Sequence, residues 1–170
     1  MTVGEAGEFG LIARVTARVG HGPHTVLGPG DDAAVVSTPD GRVVATTDLL
    51  VEGRHFRQDW SGAYDIGRKA AAQSLADVAA MGAIATALLV GLGCPPETEL
   101  SWTDQLTDGL RDEAAEVGAA VVGGDVVRAD RVVLAVTALG DLQGREPVTR
   151  SGARPGDTVA ICGRLGWAAA

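Results

Sequence analysis

The chain of 170 residues has a single lysine, Lys69, against thirteen arginines. That scarcity removes any phosphate loop of the Gly-x-x-x-x-Gly-Lys-Ser/Thr type, which depends on a lysine reaching the β- and γ-phosphates. A basic surplus is also missing: the net charge is −8, whereas a nucleic-acid backbone demands a cationic footprint. Cysteine is scarce too. Cys94 and Cys162 lie far apart without metal-ligand spacing, and a reducing compartment would keep both as thiols, read here as packing residues. No run is long enough to span a bilayer. The longest uncharged stretch, Val78 to Pro96, is broken by Gly82, Gly91 and Gly93 and ends in two prolines, so it reads as a helix end followed by a strand. The first residues carry Glu5 and Glu8 where an export signal would carry positive charge, so the expected location is the cytoplasm.

What is present is 46% hydrophobic residues, enough for one proper core and the beginning of a second domain. Leu11, Ile12, Val15 and Val19 recur at helical spacing up to Gly20. Ala33 to Ser37 and Arg42 to Thr47 read as two strands of a hairpin joined by Thr38-Pro39-Asp40-Gly41. Ser61 to Met81 is a helix with Ser61 as candidate N-cap and Gly82 as stop, its alanines allowing close approach to a sheet. Thr86 to Leu92 is a buried strand, Thr98 to Val117 a second long helix, and Ala119 to Val122 a short strand paired with Arg131 to Leu139. The expected fold class is α/β, an α+β sandwich: a mixed, mostly antiparallel sheet with two main helices on one face. Both parities of the strands are rich in Val, Leu and Ala, so the other face is expected to be buried in a dimer or by a second domain. The expected division is a domain over 1–142, a Gly- and Pro-punctuated linker over 143–156, and over 157–170 a strand and first helical turn that begin a truncated C-terminal domain.

Four acidic sites stand out. Gly28-Pro29-Gly30-Asp31-Asp32 places two carboxylates in a glycine-rich turn at the entrance of an apolar segment, which suits either a cation or an ordinary solvated turn. Asp48 follows Val43 to Thr47 and precedes Leu49-Leu50-Val51; a buried charge there requires an arginine or a metal, unless it caps the following turn. Asp77 ends an apolar helix segment and shares a stripe with Lys69 and Gln73, at i, i+4 and i+8. Asp125 follows Gly123-Gly124, which could admit a ligand to the backbone or form a plain hairpin turn. Hard carboxylate and threonine oxygens, with no histidine or cysteine cluster, suit Mg²⁺, an ion that commonly bridges protein acids to substrate phosphates.

These segments resemble a known family. Gly30-Asp31-Asp32-Ala33-Ala34, Thr46-Thr47-Asp48-Leu49-Leu50-Val51-Glu52-Gly53-Arg54-His55-Phe56, Ser74-Leu75-Ala76-Asp77-Val78-Ala79-Ala80-Met81-Gly82 and Gly123-Gly124-Asp125 are similar, in order, to the thiamine-monophosphate kinase family. Its superfamily also contains aminoimidazole ribonucleotide synthetase, selenophosphate synthetase and a hydrogenase maturation protein. Gly7-Glu8-Phe9-Gly10-Leu11-Ile12 and Gly53-Arg54-His55-Phe56 favour the thiamine enzyme, and Arg150 to Asp157 resembles its interdomain junction. The resemblance implies that Asp32, Thr46, Thr47, Asp48, Asp77 and Asp125 hold several Mg²⁺ ions. It implies that Gly124, Asp125 and Arg150 contact ATP, that His55 contacts thiamine monophosphate, and that the protein is a homodimer meeting through the sheet. Gln73 departs from the family's asparagine, and the resemblance implies a second domain of which residues 157–170 are expected to be only the start. A phosphate monoester is already largely anionic near neutral pH, so the transfer requires no protein base, and no catalytic acid or base is assigned. The alternatives are another ATP-using member of the superfamily or a non-catalytic Mg-nucleotide binding and dimerisation module.

Overall fold

Four strands and two long helices form the framework in the computed structural model, which describes residues 1–29 and 33–163. Helix α1, Val3–Thr16, starts with a capping box: the Thr2 side chain accepts from Glu5 N–H, and Glu5 accepts from Thr2 N–H. It kinks at Gly7, whose φ of 70° a side chain would resist. Strands β1, Thr25–Leu27, and β2, Val35–Val36, pair antiparallel as a small ribbon. The main sheet contains β3, Val44–Val51, β4, Ile84–Cys94, β5, Ala120–Arg128, and β6, Val133–Asp141, in the order β3-β6-β4-β5. β3 and β4 both run antiparallel to β6, and β5 runs parallel to β4. Helices α2, Ala63–Ala80, and α3, Leu100–Glu116, provide the crossovers and lie on one face.

The mixed sheet with two helices on one face matches the sequence expectation, with differences in pairing. The Thr38-Pro39-Asp40-Gly41 turn forms, with Gly41 N–H bonded to Thr38 O at 2.9 Å, but β2 pairs with β1 and β3 pairs with β6. Eight residues of β3 find partners along β6, which a two-residue β2 cannot offer. β5 pairs with β4 instead of β6, and Gly123-Gly124-Asp125 lies inside this strand, not in a turn. Helix α2 begins at Ala63 after Gly62, and Ser61 makes no cap bond. Residues 157–163 are exposed and form no strand; Val159 is 92% exposed, without a neighbour to complete a ladder. The helical turn expected over 164–170 falls outside the described residues.

Even-numbered positions of β3 and β6 face the helices and odd-numbered ones face away. Leu50, Leu134, Val136 and Ala138 join Leu88, Leu92, Ile66, Ala70, Val78, Leu106 and Leu110 in the main core. Each large side chain fully buried there contributes about 1.5–3 kcal/mol of transfer free energy. The approach is closest between the helices, not between helix and sheet. A Cβ on Gly67 would collide with Leu106 O and one on Gly109 with Tyr64 O, so these two glycines set the α2–α3 spacing. On the opposite face, Ala87, Ala120, Val122 and Leu139 are covered by Ala34 and Val36 from the ribbon. The rest stays open, with Leu49 60%, Val127 55% and Leu89 36% exposed. Cys94 packs in the core as expected, whereas Cys162 is exposed among the described residues.

Candidate functional site

Strand β3 and helix α2 run antiparallel along each other, and their contacts form a polar seam. Thr46 Oγ1 donates to Asp77 Oδ2 at 3.0 Å. One pair further along, the single Ser74 hydroxyl proton is shared between Val136 O at 3.2 Å and Asp48 Oδ2 at 3.4 Å. At the far end Lys69 Nζ donates to the carbonyl oxygen of His55, just past β3. The order 46, 48, 55 on one side meets 77, 74, 69 on the other. Period two puts Thr46 and Asp48 on the same side of β3, and helical spacing puts Lys69, Ser74 and Asp77 within reach of it. Ser74 is fully buried and Asp77 exposed, so the seam opens toward the C-terminal end of α2.

Among the described residues the carboxylates here have hydroxyl partners but no cationic ones. None of the ion pairs among the described residues includes Asp48, Asp77 or Asp125. Six arginines pair with other acids: Arg14 and Arg18 with Asp104, Arg42 with Asp40, Arg57 with Asp59, Arg68 with Glu113, and Arg111 with Asp108 and Asp112. Two hydroxyl-bonded acids without a counter-cation form a hard oxygen set of the kind that takes Mg²⁺. Among the described residues no three His, Cys, Asp or Glu side chains lie close enough together to hold a metal ion.

The other residues expected at the site are distributed as follows. Asp32 lies outside the described residues. Thr47 points to the open face, where its hydroxyl accepts from Thr137 Oγ1 at 3.0 Å. Asp125 is exposed, with its carboxylate accepting from Val126 N–H at 2.9 Å. Its neighbours Gly124 and Val126 align with the helix-facing Val90 and Leu92, so alternation turns Asp125 to the open face as well. β3 and β5 are the two edges of the sheet, three strand spacings or about 14 Å apart. One chain therefore does not bring Asp125 to Asp48. Gly124 is small for an internal reason: a Cβ there would run into Val90 O. Arg150 is exposed in a single 3-10 turn, Arg150–Gly152. It stands two residues beyond Val148, whose N–H is bonded to Met81 O at 3.0 Å, at the helix end that carries Asp77.

His55 is held in a tight turn. Val51 N–H donates to its Nδ1 at 3.0 Å, His55 N–H donates to Val51 O at 2.9 Å, and Gly53 N–H donates to Phe56 O at 2.8 Å. Phe56 is buried and anchors the turn in the core. Glu52 clamps the next segment, accepting from Val132 N–H at 3.1 Å and Gln58 Nε2 at 2.8 Å. Beside it a shallow hollow of about 370 Å³ is lined by Glu52, Gly53, Arg57, Gln58 and Asp59. The Arg57 guanidinium lies 4.8 Å from the Trp60 ring centre and holds the Asp59 carboxyl below the usual range. Sequence reading left out Ser74 and the Lys69 tether. A serine three residues before Asp77 in an otherwise apolar turn is the signal that could have exposed the first.

Three comparisons bear on this geometry. Residues 30–142 match the model of the family described as AIR synthase related protein, N-terminal domain. The thiamine-monophosphate kinase of Mycobacterium tuberculosis (strain CDC 1551 / Oshkosh) is 53% identical over 170 residues, covering 99% of this chain and 51% of that protein. The crystal structure of thiamine-monophosphate kinase from Stenotrophomonas maltophilia K279a is 36% identical with a TM-score of 0.63, covering 76% of this chain and 39% of that one. A solved structure of AaThiL complexed with AMPPCP and TMP is 28% identical with a TM-score of 0.58, covering 82% and 43%. The chain spans about half the length of the curated relatives it matches.

Proposed function

The chain belongs to the AIR synthase related protein family through its N-terminal domain, and from that premise we propose that it serves ATP-dependent phosphorylation of thiamine monophosphate to thiamine diphosphate. The observation that carries this reading is the seam itself: Asp48 and Asp77, each beside a hydroxyl and neither paired with a cation among the described residues, at the junction of β3 and α2. The relatives named as thiamine-monophosphate kinases, and the solved complex with AMPPCP and TMP, support the choice of substrates.

Residues 1–142 would form the nucleotide- and metal-binding domain and 143–156 a linker. Asp48, Asp77 and Thr46, with Asp32, would hold Mg²⁺, which neutralises the two polyanionic phosphates that must approach each other. Thr46 and Ser74 orient the acids by hydrogen bonds, and α2 and β3 fix their spacing as rigid elements. Arg150 provides a planar cationic fork for phosphate oxygens near the exposed end of the seam. His55 contacts the acceptor at the opposite end.

Asp125 and Thr47 enter through a second copy. The open face is largely apolar, and among the described residues β3 and β5 present unpaired edges, an arrangement that closing one sheet against its twin would resolve. With β5 of the partner subunit beside β3, Asp125 of the partner subunit comes to the Thr47 side of the site. The assay is phosphoryl transfer from ATP to thiamine monophosphate by the intact protein. Asp48→Asn and Asp125→Asn should each lose at least about 100-fold in rate, the scale of losing a main charge-stabilising group. Mixing the two inactive variants should restore activity, because a mixed dimer retains one site with both acids. Transfer to a different acceptor with none to thiamine monophosphate would refute the substrate assignment, and failure of the mixture to recover would refute the shared site.

A further inference from the structure

The basic end of the seam has a feature that the metal chemistry does not use. The only lysine of the chain spends its ammonium group on a backbone carbonyl, that of His55, whereas every side-chain cation in an ion pair among the described residues is an arginine. The turn it touches is closed by its own bonds: Val51 O accepts from both Arg54 N–H and His55 N–H, at 3.0 and 2.9 Å, and Gly53 sits at a φ of 79°. Among these bonds the one from Val51 N–H to His55 Nδ1 has a chemical consequence. A ring nitrogen that accepts an N–H bond carries no proton, so the neutral ring must carry its proton on Nε2. His55 therefore presents a fixed N–H donor.

We infer that Lys69 is a positioning residue: by holding the His55 carbonyl it fixes the turn that keeps Nδ1 on Val51 N–H and presents Nε2–H to an anionic oxygen of a phosphate monoester. The choice of ligand rests on the proposed substrate contact of His55. The ring geometry rests only on the contacts just described. Three features make lysine suited to the task. Its flexible stem reaches from the exposed stripe of α2 to the turn, its ammonium donates to a carbonyl from any direction, and it spans two elements anchored separately in the core by Ala70 and Phe56. Water can replace the ammonium at this exposed carbonyl, so loss of the contact loosens the turn and leaves the fold intact.

The ¹⁵N-labelled protein tests this directly. It contains three histidines, His21, His24 and His55, whose ring signals are separable by single replacement. Long-range ¹H–¹⁵N spectra should show His55 as the Nε2–H tautomer. Lys69→Met should move its ring nitrogens toward the values of a freely exchanging ring, and Lys69→Arg, which keeps a donor, should restore them. In phosphoryl transfer, Lys69→Met should raise KM for the monoester about fivefold, the size expected for one exposed charge-assisted bond, with kcat and KM for ATP unchanged. A His55 ring that stays locked in Lys69→Met overturns the inference, as does a ring that is not the Nε2–H tautomer in the parent protein. If the ring responds to Lys69 but thiamine monophosphate shifts none of its signals, the positioning stands and the substrate contact of His55 falls.

Discussion

Replacing Gly67 by alanine sets two physical effects against each other. In a helix interior alanine is favoured over glycine by about 1 kcal/mol, so propensity alone predicts a more stable protein. Gly67, however, is buried at the α2–α3 crossing, and an added Cβ would collide with Leu106 O while standing 3.0 Å from Leu110 N and 3.1 Å from Leu106 C. These are backbone atoms of α3, which cannot swing aside as a side-chain tip can. Relief requires the helices to separate by a sizeable fraction of an ångström, and a gap of roughly 0.5–1 Å forfeits a quarter to a half of the dispersion well at each contact. The contacts at risk are those of Ile66 and Ala70 against Leu106 and Leu110, all in the main core. Overpacking costs typically about 1–3 kcal/mol, and a clash with backbone belongs in the upper part of that range. Subtracting the propensity gain leaves a net loss of about 1–2 kcal/mol, or about 2–8 °C in Tm for a chain of this length. Urea unfolding followed by far-UV circular dichroism gives the value, read as a shift in midpoint at constant slope. A midpoint equal to or above that of the parent would show that the crossing can relax freely and would refute the close-contact account.

Two other expectations concern thiols and pH. One of the two cysteines should react promptly with a thiol reagent in the native protein, exposed Cys162, while Cys94 reacts only on unfolding; burial removes access and pushes its thiol pKa up. Prompt modification of both would contradict the packing of Cys94. The Arg111 guanidinium, followed by the Tyr64 hydroxyl, holds the Asp112 carboxyl below its ordinary value of 3.8. A folded-state value below the unfolded one gives stability that is present above pH 3.8 and is lost as pH falls through the folded value. Asp112→Asn should therefore narrow the difference between urea midpoints measured at about pH 5 and about pH 3. An unchanged difference would remove this carboxyl from the acid response.

Periodicity exposed the long elements because their burial is one-sided: Leu106, Leu110 and Ala114 on α3 are buried as their spacing requires. Local signals failed where pairing is decided at long range. Pro39-Asp40-Gly41 makes its turn, yet the strand that follows belongs to β6, whose eight aligned positions outweigh a neighbour of two. The glycine pair before Asp125 has the composition of a turn but occupies a strand, because Gly124 passes close to Val90 O. The Thr2-x-x-Glu5 capping box was missed, because the helix start it marks lies in front of a kink at Gly7. For the site, local context identified the acids and the threonine oxygens near them, but not which hydroxyl meets which acid. Thr46 with Asp77 and Ser74 with Asp48 are cross-element contacts that depend on the antiparallel lie of α2 on β3, and no local window contains both members of a pair.

The same contacts separate a site from a structural network. A carboxylate kept for stability is normally matched to a cation or to several N–H donors, because an ion removed from water without them is costly. Asp104, held by Arg14 and Arg18, follows that rule between α1 and α3. Half-buried Asp48 does not: among the described residues it has only the Ser74 hydroxyl beside it, and exposed Asp77 lies on the neighbouring contact of the same seam, where two negative charges repel. Neutralising one of them by Asp→Asn keeps its volume and an acceptor oxygen while removing that repulsion. The fold should therefore tolerate Asp48→Asn at no cost in stability or with a small gain, whereas Asp104→Asn removes the carboxylate that Arg14 and Arg18 share and should lower the urea midpoint. A residue whose loss spares the fold and abolishes transfer has its place because of a ligand. If Asp48→Asn destabilised the protein as much as Asp104→Asn, the seam would be a structural network and its reading as a cation site would fail.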